Sequence, residues 1–265
     1  MRAMIVNSAL QLAACSSVFL ILGCVEMSKM SSFEGPVAMS SPEGVALLED
    51  AESLKGFSRV IEKFETQVTQ TYCGVASSVI ALHAIGAQAP EAPQWKPYRS
   101  FTQESFFDSV AVGVVSESKV RAGGMTLDEL GRLLEAKGAR AEILHAEMTD
   151  LSTFRQRVRS ILRTDQGVVL VNYYRPAVAQ QGGGHISPLG AYAEAADAFL
   201  LLDVARYRLP PVWIEASSLW KAMQAVDSES GRTRGFVIVT SHPPTDSAAS
   251  MGLNDATTSE KVGPR

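Results

Sequence analysis

The chain has 265 residues, 46% of them hydrophobic and 20% charged, with a net charge of −4. That is enough apolar sequence for one sizeable core or two small ones. No basic block points to nucleic acid, and the chain shows neither an internal repeat nor a low-complexity tract.

The first residues, MRAMIVNSALQLAACSSVFLILGC, carry one early arginine, Arg2, and then an apolar run broken by Asn7, Ser8, Gln11, Ser16 and Ser17. Such a run makes a poor membrane-spanning helix and fits a secretory signal peptide. Its ending, Ile21-Leu22-Gly23-Cys24, is similar to the lipobox of bacterial lipoproteins, in which the cysteine is acylated and becomes the first residue. The expectation is a signal peptide at 1–23 and an exported, periplasmic or envelope lipoprotein held to the membrane only through lipid on Cys24. A non-cleaved anchor or a plain signal peptide stays open. The chain has three cysteines, Cys15, Cys24 and Cys73. Cleavage and acylation would leave Cys73 as the lone thiol, either buried and inert or reactive.

Residues 24–40 are small and polar and read as a tether. A helix begins at Ser41, with Pro42 in its first turn. Residues 73–84 read as an apolar helix. The proline-rich stretch GAQAPEAPQWKPYRSF is a loop, and TQESFFDSV a short helix. In MTLDELGRLLEAKG, Thr126 and Glu129 have capping-box spacing, four leucines form one face, and Gly138 stops the helix. RAEILHA is a strand, LSTFRQRVRSILR a helix and GVVLVNYY a buried strand. HISPLGAYAE and AFLLLDVAR flank the turn EAAD as a hairpin. ASSLWKAMQAVD is a helix and RGFVIVTS a last strand. Residues 241–265 are expected to be a disordered tail. Helices come early and strands late, which predicts α+β, with a helical part first and an antiparallel sheet second, in a domain spanning 41–240.

At the start of its helix, Cys73 would meet unpaired backbone N–H groups and the positive end of the dipole, both of which favour thiolate. Gly74, Ala76, Ser77 and Ser78 are small and leave room for a substrate. The alternative is a small apolar residue packed at a helix start. A nucleophilic thiol needs a base and a group to orient it. Of the four histidines, His242 lies in the tail. His83 is about 15 Å along the same helix, and His145 reads as a surface residue at a strand end. His185 follows three glycines, which let the backbone approach another segment closely. Folding the hairpin about EAAD brings Asp203 near His185; a carboxylate after four apolar residues is costly unless paired, and the contact would fix the imidazole tautomer. Gln67, six residues before Cys73, can supply a donor to a developing oxyanion beside the Cys73 N–H.

The stretches QVTQTYCGVASSVIALHAIG, GGGHISPLGAY, LLDVARYRLPPVWI, LWKAMQAVD and TRGFVIV resemble phytochelatin synthases, in particular the short bacterial form, over about Ser41 to Thr240. The resemblance implies a papain-like fold and a Cys-His-Asp triad of Cys73, His185 and Asp203, with Gln67 as the oxyanion glutamine. It also implies that Arg175, Arg234 and Asn172 bind the γ-glutamyl-cysteinyl part of glutathione. Arg206 and Arg208 are assigned instead to structural ion pairs. The expected partners are glutathione and its S-conjugates, with a homodimer left open. No cofactor or resident metal is expected, and a heavy-metal ion such as cadmium enters only as a glutathione thiolate complex. Plant-type relatives add a cysteine-rich C-terminal region. Here no cysteine follows Cys73, so the expectation is mainly removal of glycine, with weak transfer. A general peptidase of the same fold and a non-catalytic envelope protein binding glutathione or metal thiolates are the alternatives.

Overall fold

The structure, a computed structural model, describes residues 35–242. The expectations for the signal peptide, Cys24, most of the tether and nearly all of the tail fall outside the described residues. In chain order the elements are β1 (Val37–Ala38), α1 (Pro42–Glu49), α2 (Lys55–Glu62), α3 (Cys73–Ala84), α4 (Ser109–Val112), α5 (Glu117–Gly123), α6 (Leu127–Ala136) and β2 (Arg140–His145). Then come α7 (Leu151–Leu162), β3 (Gly167–Tyr174), β4 (Gly184–Ala193), β5 (Ala198–Leu201), β6 (Val212–Glu215), α8 (Ala216–Met223) and β7 (Gly235–Thr240). Helices dominate before β2 and strands after α7, an α+β arrangement in which α7 and α8 nevertheless interleave with the strands.

Local chemistry accounts for several boundaries. The Ser41 hydroxyl accepts from the Gly44 N–H at 3.0 Å and starts α1. Thr126 and Glu129 close the capping box of α6 from both sides, and Gly138, at φ +87°, takes the left-handed conformation that ends it.

The strands form one seven-stranded sheet in the order β1-β6-β5-β4-β3-β7-β2, with every neighbouring pair antiparallel. Both faces are covered. Val168 and Leu170 of β3 join a core with α3 and α6, while Val169, Val171 and Tyr173 join another with α7 and α8. Two-sided burial is why GVVLVNYY reads as an almost unbroken apolar run. Every residue of α3 but His83 is buried. Val75, Ile80 and Leu82 alone each contribute about 1.5–3 kcal/mol of burial, so the helix and its first residue, Cys73, are held firmly against the sheet.

The elements depart from the expectation in several places. TQESFFDSV is not a helix through most of its length: α4 starts only at Ser109, capped by Asp108. Before it, the Ser105 N–H turns back to Thr102 Oγ1, and the buried Gln103 side chain bonds the Val68 N–H, Glu65 and the Thr66 carbonyl. Those side-chain bonds compete with helix. The sequence did not announce α2, which has no side-chain cap and carries Gly56 in its first turn, where Leu162 and the Gly190 carbonyl leave no space for a Cβ. It also gave no sign of α5, or of β6, which follows two prolines.

Candidate active site

Four elements bring their ends together at one end of the sheet's central strands. β3 ends there, β4 and β7 begin there, and β5 runs out towards it, since antiparallel pairing sets Tyr173 opposite His185 and Asn172 opposite Gly235. The N-terminus of α3 faces this end. Cys73 is the first residue of α3, so its N–H has no acceptor within the helix. Burial pushes the Cys73 thiol up; the charge and hydrogen bond of His185 and the N–H groups of Ile186 and Gly74 overcome that and hold it below the ordinary thiol value. The small residues after it serve packing rather than substrate. A Cβ on Gly74 would lie 2.6 Å from the Met125 sulfur, and Ser77 and Ser78 are fully buried and bonded to the carbonyls of Ile186 and Gly74.

His185 is buried, with the Tyr173 ring edge-on to it. Its Nε2 lies 2.9 Å from Asp203 Oδ1, which leaves Nδ1 as the nitrogen for Cys73. Burial works against its protonated form, but Cys73 and Asp203 more than offset it, so the imidazole holds its proton above the ordinary range. The pair therefore favours thiolate and imidazolium. Asp203 lies two residues beyond the end of β5. Continuing the Leu189–Leu201 register would put position 205 opposite His185, so Asp203 is its diagonal neighbour, still within side-chain reach. Asp203 is completely buried. Burial raises its carboxyl pKa, yet His185 and Arg175 bring it down to about 2.

The other expected residues lie close by, in arrangements the sequence did not disclose. Arg175 is buried, but its guanidinium is engaged. Nη2 donates to Asp203 Oδ1 at 3.0 Å, Nη1 donates to Gln180 Oε1 at 2.9 Å, and Nη1 is also 2.7 Å from Asp203 Oδ2, off the hydrogen-bonding direction. Arg175, expected to bind the γ-glutamyl-cysteinyl group, is paired here with Asp203 and Gln180. Arg234 donates to Asn172 Oδ1 at 2.8 Å and lies 3.5 Å from Asp227. Arg234 Nε and Asn172 Nδ2 are buried donors with no acceptor among the described residues. The Arg234 guanidinium rests on Gly184, where a Cβ would come within 2.3 Å of Nη1; this is the close approach expected of the glycine run. Gln67 is buried, and its Nε2 donates to the Thr69 carbonyl at 2.7 Å and the Tyr207 hydroxyl at 3.0 Å.

Two further expectations change. His145 is not a surface residue but is 1% exposed, with Nδ1 2.6 Å from the Thr233 carbonyl and Nε2 3.2 Å from Asp128. It ties β2 to the segment carrying Arg234. Arg206 and Arg208 make no ion pair among the described residues; Arg206 instead lies over the Phe64 ring, and Arg208 Nη1 lies 3.4 Å from where a Cβ on Gly182 would sit. Tyr173, Gln180 and Tyr207 were missed altogether. Their only signal was polar atoms beside apolar runs, which tertiary placement alone turns into site residues. Among the described residues no group of three or more His, Cys, Asp or Glu side chains is placed to hold a metal ion, and no helix is long and apolar enough to cross a membrane.

A family model described as phytochelatin synthase matches residues 27–236. Among curated relatives, glutathione gamma-glutamylcysteinyltransferase 1 of Lotus japonicus is 34% identical over 207 residues, covering 77% of this chain and 40% of the relative. The Arabidopsis thaliana protein of the same name is 31% identical, over 77% of this chain and 41% of its own length. The glutathione gamma-glutamylcysteinyltransferase of Schizosaccharomyces pombe is 24% identical, with coverages of 70% and 44%. The chain thus spans less than half the length of the curated relatives it matches. With the match running through Cys73, His185 and Asp203, this chain belongs to the phytochelatin synthase family.

Proposed function

We propose that this protein is a papain-like thiol enzyme that transfers the γ-glutamyl-cysteinyl group of glutathione, releasing glycine. The observation that carries the reading is the buried Cys73–His185–Asp203 set at the start of α3, in a chain whose relatives are named as glutathione gamma-glutamylcysteinyltransferases. Cys73 thiolate attacks the carbonyl carbon of the Cys–Gly amide. The negative charge moves to the oxygen, which takes hydrogen bonds from the Cys73 N–H and a Gln67 side-chain N–H. Because Gln67 donates to Tyr207 in this structure, that N–H must be shared with or released by the phenol. The C–N bond breaks as His185 gives its proton to the glycine nitrogen, leaving a γ-Glu-Cys thioester on Cys73. His185 then takes a proton from water, or from the amine of a second glutathione, as that nucleophile attacks the thioester. Asp203 holds the imidazole throughout.

The unpaired donors of Asn172 and Arg234 suit an acceptor-rich substrate group such as the γ-glutamyl carboxylate. Arg175 acts through Asp203 rather than on substrate. The mechanism uses no cofactor, and cadmium enters as its glutathione thiolate complex, a substrate. Among the described residues one cluster of donors, Asn172 and Arg234, is assigned to substrate, and the first glutathione occupies it; this favours hydrolysis over transfer, with oligomers a minor product that grows with glutathione concentration. The same proposal places the enzyme in the envelope, attached through lipid on Cys24. Mass spectrometry of products from glutathione, with and without cadmium, is the test. Equal γ-Glu-Cys and glycine supports it. Cleavage of ordinary peptides but not glutathione would make the protein a peptidase, and binding without glycine release a non-catalytic receptor.

A further inference from the structure

Between Tyr174 and Gly184 the chain makes a compact loop. The Gln180 N–H donates to the Arg175 carbonyl at 3.0 Å, and the Arg175 N–H to the Gly183 carbonyl at 3.1 Å. Ala179 is left-handed at φ +56°, and Gly182, at φ +123°, packs so that a Cβ would sit 3.1 Å from Arg175 Cδ. The loop thereby wraps the Arg175 side chain and delivers Gln180 to it.

Gln180 is buried, and its Oε1 accepts twice, from Arg175 Nη1 at 2.9 Å and from the Tyr173 hydroxyl at 3.1 Å. The Arg175 donor sets the orientation of the amide, since a flipped Gln180 side chain would point an N–H group at a guanidinium that cannot accept. Its own Nε2 is buried with no acceptor among the described residues, an unfavourable arrangement. The side chain is therefore held in place for its oxygen, and that oxygen is neutral.

We propose that Gln180 is a positioning residue for the thiol chemistry: its amide oxygen aims the Arg175 guanidinium at Asp203, and so fixes the carboxylate that orients His185. The proposal rests on the reading of Cys73 and His185 as the reacting pair. A neutral acceptor matters because it anchors Arg175 without cancelling its charge. The charged or titratable groups around this cluster are Cys73 from α3, Tyr173 from β3, Arg175, His185 from β4 and Asp203 beyond β5. Arg208 beside Gly182 and Arg234 beside Gly184 complete it. Arg175 offsets part of the Asp203 charge and supports thiolate on Cys73. A carboxylate at position 180 would neutralise Arg175, and an apolar side chain would release it. In both cases Cys73 and His185 hold their protons more tightly.

The test is alkylation of Cys73 by iodoacetamide between pH 4 and 9, followed by mass spectrometry of the intact protein, in wild type, Gln180→Glu and Gln180→Met. No peptide substrate is involved, so an error about the substrate leaves the result readable. The half-point of the rise in rate with pH is expected to move up by about half to one pH unit in both variants, seen as alkylation about 3- to 10-fold slower at pH values well below the wild-type half-point. A side chain needed only for folding would lower the unfolding midpoint and leave that half-point in place. If Gln180→Glu does not fold, Gln180→Met decides alone. A half-point in either folded variant within about 0.2 pH unit of wild type overturns the proposal.

Discussion

Replacing Asp203 by asparagine tests the electrostatics of the site most directly. Three donors converge on Oδ1: His185 Nε2 at 2.9 Å, Arg175 Nη2 at 3.0 Å and the Ala205 N–H at 2.8 Å. An asparagine oxygen can take that place, but the amide nitrogen must then occupy the Oδ2 position, 2.7 Å from Arg175 Nη1, donor against donor. The carboxyl sits at about 2 against an ordinary 3.8. A gap of that size corresponds to roughly 2–3 kcal/mol of stability. Because the folded value lies below the unfolded one, this contribution is complete above about pH 3.8 and is lost as the pH falls through about 2. Leaving Arg175 buried without its partner adds to the loss, for a total of about 2–5 kcal/mol at pH 7. Urea unfolding is the assay: the midpoint should fall by about 1–2 M at pH 7. The part of the gap due to ionisation should shrink by about half at pH 3. Glycine release should fall by about 10²–10⁴-fold, because the imidazole loses its orienting charge. A variant within about 0.5 kcal/mol of wild type at pH 7, or a gap that does not narrow towards pH 3, would refute the coupling of Asp203 to His185 and Arg175.

Other outcomes follow from the same geometry. Cys73→Ala should abolish glycine release while unfolding close to wild type, since the thiol is small; turnover surviving in it would remove the covalent mechanism. Alkylation of Cys73 should remain fast at pH 6–7, where an ordinary thiol is protonated, as the His185 pairing implies; a rate that climbs only above pH 8 would contradict the ion pair. Gln67→Ala should lower kcat by about 10²–10³-fold with little change in KM, the pattern of a donor used in the transition state, and a change confined to KM would reassign Gln67 to binding. Cys24→Ser should move the protein out of the membrane fraction or block its processing, and an unchanged fractionation pattern would argue against lipid at that position.

The sequence by itself carried the elements whose signals are local. The capping box of α6, the apolar run of α3 and the hairpin around EAAD were legible because caps, periodicity and turn residues act within a few positions of one another. The meeting of His185 and Asp203 was legible for the same reason: a short hairpin sets which residues oppose each other. Cys73 could be singled out because it follows a polar turn and opens a helix. Elements lacking local signals stayed hidden. Nothing nearby marks α2, whose first-turn glycine makes sense only against Leu162 and Gly190, and the burial of Gln103 undoes an otherwise plausible helix at TQESFFDSV.

What tertiary structure decided is which charge meets which. Arg175 was expected at the substrate, but sequence does not reveal that a glycine-rich loop folds it back onto Asp203 and Gln180. His145 read as exposed because its partners, Asp128 and the Thr233 carbonyl, come from positions 17 and 88 residues away. Gln67 was legible as a donor, but not its bond to Tyr207, 140 residues on. Hydrogen bonds and ion pairs are short-ranged and directional, so the choice among several chemically suitable partners is made only when packing of α3 against the sheet sets distances to within an ångström.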